Sequence, residues 1–476
     1  MENKKEKKLR YLIFILIVLI LCAVPFVCMF FAPTTETTEN RRLAAFPSFT
    51  EEGKPNADFL QDLGAYFEDH FAFRNLIAAA DGRLQSLFGV SSVDTVVKGT
   101  DGWLYYTASA NDFQGLDAMT ENEAAFAARN LKLMQDYLDA KKIDFVFTVA
   151  PNKNALYGEN MPYYYLRTDL KNSMDVFAPY LAAEKISYAD LFSVFRAQEK
   201  VLYLKRDSHW NNEGALLAYE TIMDTLEKPY DAFLTAPVLR EKTERGDLGK
   251  MVYSVWADPE WNSYYTLPEA YTFTSESSDV EAALLTTENK EAKGKLLMFR
   301  DSFGNTLLPF FAENFASAVF SKAAPYPLER FVEQYRPDVV IAEKVERNLS
   351  DLLVKPAIIS APECDLALKG MQTAGEGQEA ADPPVFEESF DDPTYICVKG
   401  RIPDATAETM VYAKLGDHTY EAYRVVNASG EAEYLLYFKK TDLEQAEGAL
   451  AVILKNGATL SQLCSAPITL PEAETE

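Results

Sequence analysis

The chain has 476 residues, a formal net charge of −26 and a pI near 4.6. That length exceeds one compact domain and predicts two folded units with additions. An acidic surface with no basic stripe argues against nucleic acid as a partner.

The first ten residues depart from this balance, with Lys4, Lys5, Lys7, Lys8 and Arg10 against Glu2 and Glu6. They read as a basic cytoplasmic tail, residues 1–10. Residues 11–31, Tyr11 to Phe31, carry no charge and are long enough to span a bilayer. The basic flank predicts a cytoplasmic N-terminus with the bulk of the chain extracytoplasmic. A cleaved signal peptide is the alternative. The apolar run is long for one, and Phe30-Phe31-Ala32-Pro33 is a poor cleavage site, so the reading is a single-pass cell-membrane anchor.

Residues 32–56 read as a juxtamembrane linker. Residues 57–89 form an amphipathic helical lead-in, with Phe59, Leu60, Leu63, Phe67, Leu76 and Leu84 as apolar points. Val96 to Tyr106 is a hairpin turned by Asp101-Gly102. A βα alternation follows. Helices are expected over 121–141 and 171–185, and strands at Ile143–Val149, Ile186–Tyr188 and Val201–Leu204. Asn211 or Asn212 caps a helix to about Leu226. Lys295–Phe299 is a strand that delivers Ser302, and a helix follows it through Phe315. Helix 328–336 and strand Asp338–Ile341 close the set. This order predicts an α/β unit over 57–360, with a mainly parallel sheet and helices on both faces.

Residues 372–384 are a linker by composition. Beyond them, Tyr395–Val398, Met410–Ala413, Tyr434–Phe438 and Ala449–Leu454 are strands at hairpin spacing. They predict a small C-terminal all-β sandwich-like domain over 385–470. Its tyrosines (Tyr395, Tyr412, Tyr420, Tyr423, Tyr434 and Tyr437) either stack on sugars or fill the sandwich core. Among five cysteines, Cys22 and Cys28 fall in the anchor. One bond is open to the rest, between Cys397 and Cys464. There is no CxxC, and three histidines are too few for a structural zinc centre, so neither metal nor other cofactor is expected.

Of those histidines, His70 and His418 lack catalytic context. His209 lies in Asp207-Ser208-His209-Trp210, two residues after an aspartate. Ser302 follows a predicted strand in Arg300-Asp301-Ser302-Phe303-Gly304. A serine needs a base to become a nucleophile, and the base needs a carboxylate to fix its tautomer. Loops at the carboxyl ends of parallel strands share one crevice, so Ser302, His209 and Asp207 can meet there. A helix starting at Ser302 would add an oxyanion site. Each residue also has a plainer reading: Ser302 as a helix cap, Asp207 as a helix-start residue, His209 as a polar loop residue, Trp210 as a packed anchor.

The ordered set of motifs resembles the alginate O-acetyltransferase type of SGNH-hydrolase-like protein, including the group named for an Asp-His-His-Trp (DHHW) motif. Its pieces are Glu39-Asn40-Arg41-Arg42-Leu43, Phe67 to Arg74, Gly99 to Tyr105, Ala150-Pro151-Asn152-Lys153, Asp207 to Asn211, Arg300 to Asn305 and Pro337 to Val340. The resemblance implies an SGNH-like fold with a Ser302–His209–Asp207 triad. It implies acetyl transfer to a glycan acceptor outside the membrane, with a multispanning membrane acyltransferase as acetyl donor. Ser208 stands where the named motif has His, and Arg300 where the Gly-Asp-Ser block has Gly. Asn152, Lys153, Arg300, Asn305 and Trp210 are candidates for oxyanion or substrate contacts. A glycan acetyl esterase and a non-catalytic glycan-binding scaffold are the alternatives.

Overall fold

The computed structural model describes residues 4–35, 43–51, 54–230, 233, 238–366, 382–446 and 448–471. Most of the expected linker 372–384, and Glu39 to Arg42 of the first motif, lie outside the described residues. The chain opens with helix α1, Lys4–Met29, which is long and apolar enough from Lys7 to Met29 to cross a membrane.

The amphipathic lead-in is two helices, not one: α2, Phe59–His70, and α3, Arg74–Leu87. The break falls at Phe71 to Phe73. Phe73 takes a left-handed backbone (φ 65°) with neither glycine nor proline to announce it.

Seven strands form the central sheet: β1 Asp144–Ala150, β2 Tyr188–Ala189, β3 Tyr271–Phe273, β4 Leu284–Asn289, β5 Lys295–Phe299, β6 Ser317–Ser321 and β7 Val339–Val345. Their order is β2-β1-β7-β5-β6-β4-β3. The five from β2 to β6 are parallel, and β4 and β3 add an antiparallel edge. Alternate residues face opposite ways, as the pleat demands. Phe145, Phe147, Leu297, Phe299, Val340 and Ala342 pack on one side with the helices Glu121–Ala140, Ser173–Ala183 and Leu328–Tyr335. Val146, Leu296, Met298, Val339 and Ile341 pack on the other with Asn212–Thr225 and Leu308–Asn314. Both faces are covered, which gives the expected mainly parallel α/β unit. Helix Glu121–Ala140 starts at a complete capping box of Thr120 and Glu123.

Two expectations fail here. Val201–Leu204 does not join the sheet. The β1 edge is already taken by β2, and the segment keeps only an isolated bridge from Tyr203 to Trp210. No continuous helix follows Ser302 either. A three-residue 3-10 turn, Phe303–Asn305, precedes the helix Leu308–Asn314. The dipole argument for an oxyanion site at Ser302 therefore loses its long helix.

The C-terminal strands are β8 Val385–Glu388, β9 Tyr395–Arg401, β10 Thr409–Leu415, β11 His418–Glu421, β12 Tyr423–Val426, β13 Ala432–Lys439, β14 Ala449–Asn456 and β15 Thr459–Pro467. They form two antiparallel sheets, β8-β9-β13-β12 and β11-β10-β14-β15. Ile396, Val398, Val411, Leu436 and Val452 fill the space between the sheets. The outer face of the first sheet is apolar as well. Tyr395, Cys397, Tyr423, Val425, Leu435 and Tyr437 belong to the core of the α/β unit. Five of the six tyrosines are therefore buried and closed to sugars, and only Tyr420 keeps partial exposure. Alternation also parts the cysteines. Cys397 faces the α/β unit from the first sheet, while Cys464 sits on the second beside the Tyr434 hydroxyl, and both are free thiols. The considered disulfide is not formed.

Candidate active site

The loop after Leu204 folds over the carboxyl end of the sheet because three distant side chains hold its backbone. The Lys153 ammonium, just past β1, donates to the carbonyls of Leu204 (3.2 Å), Lys205 (2.9 Å) and Asp207 (2.5 Å). The Glu260 carboxylate accepts from the N–H groups of Lys205 and Arg206. The Asp247 carboxylate accepts from the Ser208 N–H (2.7 Å) and the Ser208 hydroxyl (2.5 Å). Asn211 then caps helix Asn212–Thr225 by accepting from Gly214 N–H.

The Ser302 turn is fixed by Asp301. Its carboxylate accepts from Phe303 N–H (2.9 Å) and, across to β7, from Val345 N–H (2.7 Å). Asp301 N–H donates to the buried Glu343 carboxylate. Gly304 is obligatory, since a Cβ there would lie 2.6 Å from the Arg300 Cβ.

These two scaffolds bring three predicted residues together. His209 Nδ1 lies 2.7 Å from Asp207 Oδ1, and His209 Nε2 lies 2.8 Å from Ser302 Oγ. Asp207 also accepts from the His209 N–H (2.9 Å) and the Asp247 N–H (3.0 Å). With Nδ1–H donating to the carboxylate, Nε2 is left to accept from the Ser302 hydroxyl. Burial pulls the His209 pKa down, but the bond and charge of Asp207, with the charge of Asp247, outweigh it and leave the imidazole above its ordinary value. Burial would raise Asp207; its bonds and proximity to His209 win and hold it below the usual carboxylate range. Asp247 goes the other way, raised by burial and by the Asp207 charge. Phe303, fully buried, supports the His209 ring at 4.7 Å between centroids. Neither of the other histidines has such a setting: His70 stacks on Tyr66, and His418 pairs with Glu363 on the sandwich surface.

The other candidates are placed differently. Trp210 is 1% exposed, with its indole N–H on the Thr306 hydroxyl, so it is a packed anchor and not a sugar platform. Lys153 is buried and holds backbone rather than facing the cleft; burial lowers its pKa to about 8. Arg300 is buried and donates to the Val280 carbonyl and the Asn305 side chain. Asn152 is buried, with its N–H on Glu346 and its Oδ1 accepting from Arg347. Asn305 lines the cleft, tied to Glu281.

Ser302, His209 and Asp207 open on a cleft of about 820 Å³. Its wall contains two residues that sequence reasoning missed. Asp247 lies 3.7 Å from His209 Nδ1 in a stretch with no clear periodicity. Arg347 spreads its guanidinium over Tyr106 (5.3 Å) and Phe303 (5.6 Å). It follows the predicted strand Asp338–Ile341, so the rule about carboxyl ends of strands was a usable signal.

Replacing Lys153 with Met is expected to destabilise the fold by roughly 2–4 kcal/mol, since one buried and two part-buried carbonyls lose their donor. Denaturant titration reads this directly; an unchanged midpoint would contradict the stapling role.

Residues 96–293 match the family described as the SGNH hydrolase-like domain of the acetyltransferase AlgX. The family resemblance read from the motifs stands on this match. Ser302 lies beyond its end. The probable alginate O-acetylase AlgJ of Pseudomonas fluorescens is 25% identical over 178 residues, 36% of this chain and 43% of that relative. The chain thus spans under half the length of that relative. Among solved structures, Bacillus cereus PatB1 is 18% identical, with a TM-score of 0.43 over 53% of this chain and 96% of its own. A DHHW family protein from Eubacterium siraeum is 17% identical, with a TM-score of 0.40 over 54% of this chain and 95% of its own.

Proposed function

We propose that the chain is a membrane-anchored extracytoplasmic O-acetyltransferase that moves acetyl groups onto a polysaccharide of the envelope or an exported one. The observation that carries the reading is the unbroken Ser302–His209–Asp207 hydrogen-bond chain at the floor of an open cleft. The AlgX-type family match and the AlgJ relative supply the acyl group and the glycan. Ser302 Oγ attacks the acetyl carbonyl while its proton passes to His209 Nε2, and the donor leaves with that proton. A sugar hydroxyl then gives its proton to His209 and attacks the Ser302 ester. The Ser302 C–O bond breaks, the proton returns to Ser302, and the acetylated glycan departs. Asp207 keeps the imidazole in the required tautomer and stabilises its charged form. The proposed acetyl donor is a multispanning membrane acyltransferase, because a single apolar helix cannot carry acetyl across a bilayer.

The test is intact-mass analysis of the full chain after exposure to a small activated acetyl ester, with and without glycan acceptors. A covalent acetyl adduct that glycan discharges faster than water supports transfer. Discharge by water alone, whatever glycan is supplied, makes the protein an esterase. No adduct on folded protein sinks the acyl-enzyme mechanism.

The histidine sets the pH response. The base must be neutral, and its pKa is raised, so adduct formation is expected to fall as pH drops through a value above the ordinary imidazole range. Asp247→Asn removes a charge that favours imidazolium. The acid limb should therefore move to lower pH, with a rate loss of about tenfold or less. A pH–rate profile that stays in place in this variant would show that Asp247 has no electrostatic part.

A further inference from the structure

Helix α3 is built the wrong way round for a helix on the surface of a soluble protein. Its inner face is small: Ala79 and Gly82 are buried, and a Cβ on Gly82 would lie 1.8 Å from the Val252 carbonyl oxygen of helix Asp247–Tyr253. Its large apolar residues point outward. At helical spacing, Leu76, Ile77, Ala80, Leu84 and Leu87 fall within about 100° of the wheel. Leu84, Leu87 and the following Phe88 are 57%, 83% and 78% exposed. Phe73, Leu76 and Ile77 are also exposed. A lone exposed leucine is ordinary, whereas a continuous stripe on one helix marks a surface that something covers.

The neighbours of α3 identify the cover. The elbow between α2 and α3 is clamped to the last turn of α1. Pro25 and Met29 of α1 are buried, Phe26 meets Phe67 of α2, and Thr34 donates its N–H to the His70 carbonyl and its hydroxyl to the Phe71 carbonyl. Helix α3 therefore begins beside the point where the chain leaves α1. Exposed aromatic residues continue the patch at both sides. Phe73 and Phe88 are exposed at its two ends, and half-exposed Trp256 accepts through its carbonyl from Arg83 of α3. Aromatic rings at this level are a feature of bilayer interfaces.

We propose that α3 lies in the outer lipid–water interface with its apolar stripe among the acyl chains, as a second membrane contact beside α1. The proposal rests on reading α1 as membrane-spanning. The inner face of α3 carries helix Asp247–Tyr253, whose first residue belongs to the cleft, so the contact would hold the cleft close to the bilayer surface.

The test is spin labelling of the full chain in phosphatidylcholine nanodiscs, after replacing Cys22, Cys28, Cys364 and Cys464 with Ala. Labels are placed by Leu87→Cys, by Ile17→Cys in α1 and by Phe390→Cys on the sandwich, where Phe390 is 99% exposed. The ratio of collisions with oxygen to collisions with a water-soluble nickel chelate should exceed unity at Leu87 and Ile17 and fall below it at Phe390. A ratio below unity at Leu87, with Ile17 in lipid, overturns the α3 contact and spares the anchor. A label at Leu87 shielded from both reagents means that protein covers the stripe, and it overturns the proposal too. A ratio below unity at Ile17 sinks the anchor reading and this one together.

Discussion

Ser302→Ala is expected to abolish the acetyl adduct and to slow turnover of a chromogenic acetyl ester by about ten-thousand-fold. The hydroxyl is the atom aimed at His209 Nε2, at 2.8 Å, and alanine removes it without disturbing the Asp301 bonds that shape the turn. Asp207→Asn should cost a similar factor for a different reason. An amide can donate to Nδ1, which then holds its proton on Nε2 and faces Ser302 with a donor. The two losses should not multiply, since the three residues act as one unit. Rates of the single and double variants on the same ester check this. A Ser302→Ala protein that retains turnover within tenfold of the parent would move the chemistry away from this cleft.

The second large effect is on stability. Asn130, buried on helix Glu121–Ala140, stands in for a backbone. Its amide donates to the carbonyls of Arg424 (2.8 Å) and Leu352 (3.2 Å), and its oxygen accepts from Arg424 N–H (3.2 Å). It thereby pairs the edge of β12. The Arg424 guanidinium reaches back to the carbonyls of Thr409 (2.7 Å) and Ala125 (3.4 Å) and lies 4.7 Å over the Phe126 ring. Beside it, Arg129 forms a two-pronged pair with Glu421, at 2.7 Å for each bond. Asn130→Ala leaves three buried backbone groups without partners and is expected to destabilise the fold by roughly 2–4 kcal/mol. Guanidinium unfolding followed by tryptophan fluorescence and by far-UV circular dichroism tests it. A loss below about 0.5 kcal/mol, within the range of ordinary surface substitutions, would refute the role given to Asn130.

The sequence was most legible where local and tertiary signals agree. Lys295–Phe299 is a short apolar run with a strand on each side, and it is a strand over those same residues. The helix expected over 121–141 is Glu121–Ala140, and the structure starts it at the Thr120 and Glu123 capping box. Ser302, His209 and Asp207 were readable because histidine is so scarce here that one beside an aspartate stands out. What escaped depends on the third dimension. Val201–Leu204 has the composition of a strand but pairs only with its own loop, through the Tyr203–Trp210 bridge. Lys153 reads as a substrate cation until the Leu204–Asp207 carbonyls close on it. Asp247 comes from a segment whose connection to Asp207 is spatial, directly through its N–H and by way of Ser208. The apolar points of α3 gave the correct period, but periodicity carries no information about which medium the stripe faces.

The face that the β-sandwich shares with the α/β unit has a consequence for taking the chain apart. A module joined only by a linker can be cut away at little cost to either part. Here removal would bare Tyr395, Cys397, Tyr423, Leu435 and Tyr437 on one piece and the Asn130 face of a helix on the other. Neither half is therefore expected to stay soluble when it is made without the other.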